Sequence, residues 1–143
     1  MAGNSVGYAF GVFDLFNVEH VDLLDQALAH CDELVVGVAS DELVQRSGGA
    51  EPLTPEDERM AIVGSVRHVG RVELLDTVDL AAAARQAGAQ VVFGAADGDA
   101  VQRALHRGEN DAAPGVRLLH LVPRRRSASE AVRGAGIGRS TTG

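Results

Sequence analysis

The sequence predicts an α/β fold: a five-stranded parallel sheet covered by helices on both faces. Short β-rich apolar runs alternate with longer helical segments along nearly the whole chain, the order expected when crossover helices join parallel strands. One run, "LVVGVA" (Leu34–Ala39), is apolar at every position, as in a strand buried on both sides. The length of 143 residues supports one domain with a core and is too short for two ordinary ones.

The elements follow in order. "VGYAF" (Val6–Phe10) reads as the first strand. "HVDLLDQALAH" (His20–His30) places Val21, Leu24, Ala27 and Leu28 on one helical face. After Leu34–Ala39 comes a loop containing Gly48 and Gly49. "TPEDERMAIVGSV" then opens a helix, with Thr54 as N-cap, Pro55 at the first helical position and acidic residues in the first turn. "RVELL" (Arg71–Leu75) is a third strand, and "DLAAAARQAG" is a helix that Gly88 ends. "QVVFG" (Gln90–Gly94) and "GVRLLHLV" (Gly115–Val122) give strands four and five, with a helix expected between them over Asp97–Arg107. "SASEAVR" starts a last short helix. Residues 1–134 are thus expected to form the domain, and 135–143, which lack an apolar period, a disordered tail.

Composition narrows the function classes. A net charge of −7 argues against a general nucleic-acid binder, which needs a basic face. No apolar run reaches the length of a membrane span, and the N-terminus lacks a secretion signal, so no membrane partner is expected. The lone Cys31 cannot form an internal disulfide, which suits a cytoplasmic setting; it reads as a small buried hydrophobe. All 13 basic residues other than histidine are arginine, so an arginine in a lysine's place carries little functional meaning here.

In a parallel sheet of this kind, ligands bind beyond the carboxyl ends of the strands, near the point where strand order reverses. The loops after Phe10, Ala39, Gly94 and Val122 are therefore expected to share a cleft. In "GVFDLFNVEH" (Gly11–His20), Gly11 allows a tight turn and close approach of a phosphate to the backbone. Asn17 and His20 flank the start of a helix, where free N–H groups favour an anion. A histidine there can donate to a phosphate oxygen as charge develops, and Asp14 can hold a magnesium ion. The same residues also fit a helix-capping asparagine and a surface histidine.

"GVFDLFNVEHVDLLDQA" resembles the signature of the cytidylyltransferase-like nucleotidyltransferases, above all the glycerol-3-phosphate cytidylyltransferase type, whose pattern is G-x-F-D-x-x-H-x-G-H followed by a helix. The likeness continues through "LVVGVASDELVQRSGGAEPLTPEDERMAIVGSVRHVGRVELL", matching the family's second strand, S/T-D-E turn, lysine loop and P-x-x-E-R helix. "LVPRRRSASEAVR" is similar to a compressed R-T-x-G-I-S-T-S-x-x-I motif. The resemblance implies a Rossmann-like nucleotidyltransferase fold and attack by an acceptor's phosphate oxygen on the α-phosphorus of CTP, with pyrophosphate released. It casts His20, Asn17 and Arg46 as the catalytic group, and Gly11, Phe13, Asp14, Arg124, Ser127 and Ser129 as the nucleotide site. Arg67 and Glu19 fall to the acceptor, and Asp14 to Mg2+. Arg59 matches the arginine of the P-x-x-E-R helix, where a salt bridge to a neighbouring carboxylate fits equally well. A phosphorylated small molecule is the implied acceptor and a homodimer the implied assembly.

Four departures from the family pattern converge on the expected cleft. Asn17 stands for the first histidine and Glu19 for the glycine. "FGAADGD" replaces G-D-D-W, and "RRRSAS" is shorter than the family's last motif. A resembling branch of the superfamily, the eukaryotic nicotinamide-mononucleotide adenylyltransferases, carries T-N-x-H at the signature and keeps a single histidine. The alternative expectation is a nucleotide-fold protein that binds a ligand, or runs another reaction, without nucleotidyl transfer.

Overall fold

The computed structural model describes residues 5–95, 116–122 and 124. The helix expected at 97–107, the last short helix and the tail at 135–143 lie outside them. The described elements are β1 (Val6–Gly11), α1 (Val18–Leu28), β2 (Glu33–Ala39), α2 (Asp41–Arg46), α3 (Glu56–Gly64), β3 (Arg71–Leu75), α4 (Leu80–Ala87), β4 (Val91–Ala95) and β5 (Arg117–Leu121). All five predicted strands are present within a residue or two of their expected ends. They pair in parallel in the order β3-β2-β1-β4-β5. Strand order therefore reverses between β1 and β4, which sets the expected binding crevice at their carboxyl ends.

Period-two alternation sorts the sheet's side chains into two cores. Tyr8, Phe10, Val35, Ala39 and Val92 face one way and pack with Leu43 and Val44 of α2 and Leu80, Ala84 and Ala87 of α4. Ala9, Leu34, Val36, Val38, Val91 and Phe93 face the other way, with Leu24 and Ala27 of α1 and Val63 of α3. Each fully buried aliphatic or aromatic side chain contributes about 1.5–3 kcal/mol, so both helix layers are firmly seated. Gly37 is where the first core is tightest: a Cβ there would lie 2.0 Å from the Tyr8 hydroxyl. Cys31 is half-buried, and burial pushes its thiol pKa up.

Two local readings need correction. "SDEL" is more than a turn, because Ser40 caps a short helix by accepting the Leu43 N–H at 2.9 Å. Thr54 is not the cap of α3. Pro55 occupies that position and makes no side-chain cap bond. The reason is tertiary: the Glu56 N–H, at the helix start, faces the Asp41 carboxylate of α2, while the Thr54 N–H donates to Asp14 and its carbonyl accepts from Arg59. Glu56 returns the contact by accepting the Asp41 N–H at 2.7 Å, so the two helix starts satisfy one another. Asp79 caps α4 and Gly88 ends it at φ 77°, a left-handed conformation that favours glycine.

Candidate functional site

The connection from β1 to α1 turns sharply at the carboxyl end of the central strand. Phe13 and Leu15 both adopt positive φ, 59° and 51°. For side chains of this bulk such a conformation costs on the order of 1–3 kcal/mol each, so the surroundings must impose it. The Phe13 ring is buried in the core beneath the turn. The Val12 carbonyl accepts from the Arg59 guanidinium at 2.8 Å, and the Leu15 carbonyl accepts from the Asn17 amide at 3.1 Å. Asp14 accepts the backbone N–H groups of Leu53 and Thr54 at 2.9 and 3.0 Å, tying the turn to the approach of α3.

Asn17 and His20 form a reciprocal cap. The Asn17 side chain accepts from the backbone N–H of Glu19 at 2.9 Å, while His20 Nδ1 accepts the Asn17 N–H at 3.1 Å. This is a capping box in which an imidazole replaces the usual glutamate or glutamine. Because Nδ1 is an acceptor, the neutral ring carries its proton on Nε2. The ring stacks on Phe16 (centroids 5.2 Å apart) and meets the edge of Phe13 (5.6 Å). His20 is thus a proton-bearing imidazole, fixed in tautomer and rotation, at a helix start beside the strand-order reversal. An imidazole N–H is a group able to stabilise charge on a phosphate oxygen. Asn17 is the helix cap: its Oδ1 belongs to the helix and its Nδ2 to the Leu15 carbonyl.

The loop on the β2 side is held by one residue. Arg59 is fully buried; its guanidinium donates to the carbonyls of Thr54, Val12 and Ala39, each at 2.8 Å, and pairs with Asp41. It links the carboxyl ends of β1 and β2 to the starts of α2 and α3. Of the two readings open from the sequence, the structure supports the salt bridge, and the side chain has no surface to offer a ligand.

The remaining sequence-predicted residues are spread more widely. Gly11 ends β1, buried and in register with Val38. Glu19 lies in the first turn of α1, half-buried. Arg46, at the end of α2, is about half exposed and reaches the Asp76 carbonyl (3.0 Å) and carboxylate (3.5 Å) beyond β3. Arg67 is the acceptor residue that the resemblance implies. It lies on the α3–β3 connection, which enters the sheet at its amino end, where the Gly70 N–H bonds the Leu34 carbonyl. Helix α3 carries the chain back along the sheet, so Arg67 and His20 are at opposite ends of the strands within one subunit. Ser127 and Ser129 lie outside the described residues.

Arg124 meets carboxylates. Its backbone N–H donates to Asp22 Oδ2 at 2.8 Å, and its guanidinium lies 3.1 Å from Asp22 Oδ1 and 3.8 Å from Asp25. Asp22 is buried at 7% exposure. Burial acts to raise its pKa, but the Arg124 N–H, the Gln26 amide and the Arg124 guanidinium outweigh it and hold the carboxyl below its usual range. Sequence reasoning missed Asp22 and Gln26: with Asp25 they form the polar side of α1, and nothing local shows that the segment after β5 covers Asp22. Among the described residues, no group of three or more potential ligands forms a metal cage. Asp14 is an oxygen donor of the kind magnesium prefers, and a single carboxylate suits an ion brought in on a triphosphate. No described helix is long and apolar enough to cross a membrane.

Comparison with known proteins agrees with this architecture. The sequence model of the cytidylyltransferase-like family matches residues 8–142. The bifunctional protein HldE of Acidiphilium cryptum is 43% identical over 75 residues, covering 52% of this chain and 15% of the relative. The FAD synthase of Thermococcus kodakarensis is 42% identical over 62 residues, 43% of this chain and 42% of the relative. The matched stretch therefore spans about a seventh of the first relative's length and somewhat under half of the second's. Among solved structures, a lipopolysaccharide core biosynthesis protein from Thermoplasma volcanium superposes with a TM-score of 0.69 at 23% identity, over 86% of this chain and all of that one. The pantoate-beta-alanine ligase of Francisella tularensis, complexed with beta-gamma ATP and beta-alanine, gives 0.57 at 9% identity, over 88% and 62%. At these identities the structural likeness establishes the fold.

Proposed function

This chain belongs to the cytidylyltransferase-like family, and we propose that it transfers a nucleotidyl group from a nucleoside triphosphate to a phosphorylated small molecule, releasing pyrophosphate. One observation supports this most: His20, held by the Asn17 N–H and stacked on Phe16, lies in the first turn of α1, beside the point where strand order reverses. An acceptor phosphate oxygen forms a bond to the α-phosphorus while the bond to the β-phosphate bridging oxygen breaks, and pyrophosphate leaves with that electron pair. His20 Nε2–H donates to a phosphate oxygen as negative charge builds, and the dipole of α1 acts in the same sense. No covalent enzyme intermediate is required; the protein contributes position and charge.

CTP is the donor that the sequence resemblance favours. ATP is the second reading, supported by the FAD synthase relative, named for making an adenine dinucleotide, and by the structural neighbour complexed with beta-gamma ATP. Magnesium bound to the triphosphate would neutralise its charge, and Asp14 is the carboxylate we assign to it. Arg46 is assigned to the departing phosphates. A homodimer is the proposed assembly, to be read by sedimentation.

The test is pyrophosphate release with magnesium, using each common triphosphate against phosphorylated polyols, sugars and amino alcohols. The expected result is release that needs one triphosphate, one acceptor and an intact His20. Silence across the panel, with no triphosphate binding by calorimetry, overturns the reading.

A further inference from the structure

The segment after β5 is fastened to α1 at three points, and one buried carboxylate supplies two of them. Asp22 accepts both the Arg124 N–H and the Arg124 guanidinium. Gln26, one turn further on, donates to the Val122 carbonyl at 2.9 Å and to Asp22 at 3.1 Å. Proline 123 has no N–H, so Arg124 provides the first backbone donor after Val122, and that donor is the one Asp22 takes. These contacts join residues about a hundred positions apart in sequence, across the last strand and the first helix. They also divert the Arg124 guanidinium toward Asp22 and Asp25.

We propose that Asp22, with Gln26, is a positioning residue: it latches the segment leaving β5 onto the helix that carries His20, so that both approach a bound triphosphate as one rigid unit. The proposal rests on the functional reading above, which places the triphosphate at the carboxyl ends of the strands. Asp22 and His20 are two residues apart, roughly 3 Å along the helix axis and on different sides of it. A shift of Val122 and Arg124 relative to α1 therefore changes their distance from His20. A carboxylate can accept from the backbone N–H and the guanidinium together. Asparagine at the same place presents an NH2 group to one of these donors, and the latch opens.

The experiment uses the full chain, its Asp22→Asn and Gln26→Leu variants, and Asp22→Glu as the conservative replacement. Amide hydrogen exchange is followed by mass spectrometry in peptides covering 122–124, with α4 as internal reference. Exchange at 122–124 is expected to quicken by about tenfold or more in the first two variants, the loss of one charge-assisted bond, with α4 unchanged. In turnover assays KM for the triphosphate rises by a similar factor while KM for the acceptor holds, and Asp22→Glu recovers part of both effects. A purely structural role instead lowers kcat through a smaller active fraction and leaves both KM values in place; that result overturns the positioning role. Unchanged exchange at 122–124 in Asp22→Asn and Gln26→Leu overturns the latch itself. If the unmodified protein neither binds nor turns over any triphosphate, the functional reading falls, and exchange alone still decides the latch.

Discussion

Arg59 and Arg46 stand at the same end of one sheet, thirteen positions apart, each beside an aspartate, and they live under opposite conditions. Arg59 is wholly buried, with three carbonyls and Asp41 around its guanidinium. Arg46 is about half exposed and shares Asp76 with the Ser40 hydroxyl. A buried guanidinium without its acceptors, or those acceptors without it, carries the full penalty of desolvation, whereas an exposed pair exchanges its bonds with water at little cost. The inner arginine is therefore part of the scaffold that bends the β1–α1 turn. The outer one is free to trade its partner for a ligand's phosphate, and only it remains a candidate for chemistry.

Four measurements break or sharpen this contrast. The largest effect is expected from Arg59→Met. It leaves the Val12, Ala39 and Thr54 carbonyls without their donor, and urea unfolding should show a loss of about 3–5 kcal/mol. A loss under 1 kcal/mol would show that the turn holds its positive φ values unaided. Next is His20→Gln. Glutamine suits the same capping-box position, so stability should stay within about 0.5 kcal/mol while pyrophosphate release falls by roughly 10²–10⁴-fold. Equal turnover in that variant would remove His20 from the chemistry.

Asn17→Ala comes third. It deletes the cap that Oδ1 makes to the start of α1, and the expected cost is about 1 kcal/mol in thermal or urea unfolding. Arg46→Ala is the smallest in stability, under about 1 kcal/mol and weaker still in high salt. A large stability loss there would erase the distinction between the two arginines.

Acid behaviour tests the other fastening. Asp22 has a folded-state pKa below its unfolded value. Its contribution is therefore complete above the unfolded carboxylate value of about 4 and is lost as pH falls through the folded value. The Tm should decline below about pH 4, and Asp22→Asn should flatten that decline. A variant with the same acid slope would show that other carboxylates govern it.

Much of the fold was legible in the chain because apolar period is a local property. Leu34–Ala39 announced a strand buried on both faces, Arg71–Leu75 was bounded correctly, and Gly88 marked the end of α4 through its left-handed backbone. The site was legible in part. Asn17 and His20 were found as a pair at a helix start, but their bond to one another depends on the turn's geometry. Thr54 was misread as a cap because sequence cannot show that Asp41, on the preceding helix, faces the first N–H of α3. Arg67 was placed with the acceptor on motif alone, and the fold sets it on the α3–β3 connection.

The sequence by itself determined the succession of strands and helices, the family, and the presence of His20 after the first strand. Those features follow from side-chain period, from turn residues and from motif spacing, all of which act within a few neighbouring positions. Tertiary structure alone decided which arginine is scaffold and which is exposed, and that Asp22 binds Arg124. Burial and pairing depend on which distant groups the fold brings within about 3 Å. For a guanidinium or a carboxylate, that proximity determines whether the charge is a structural bond or remains available to a ligand.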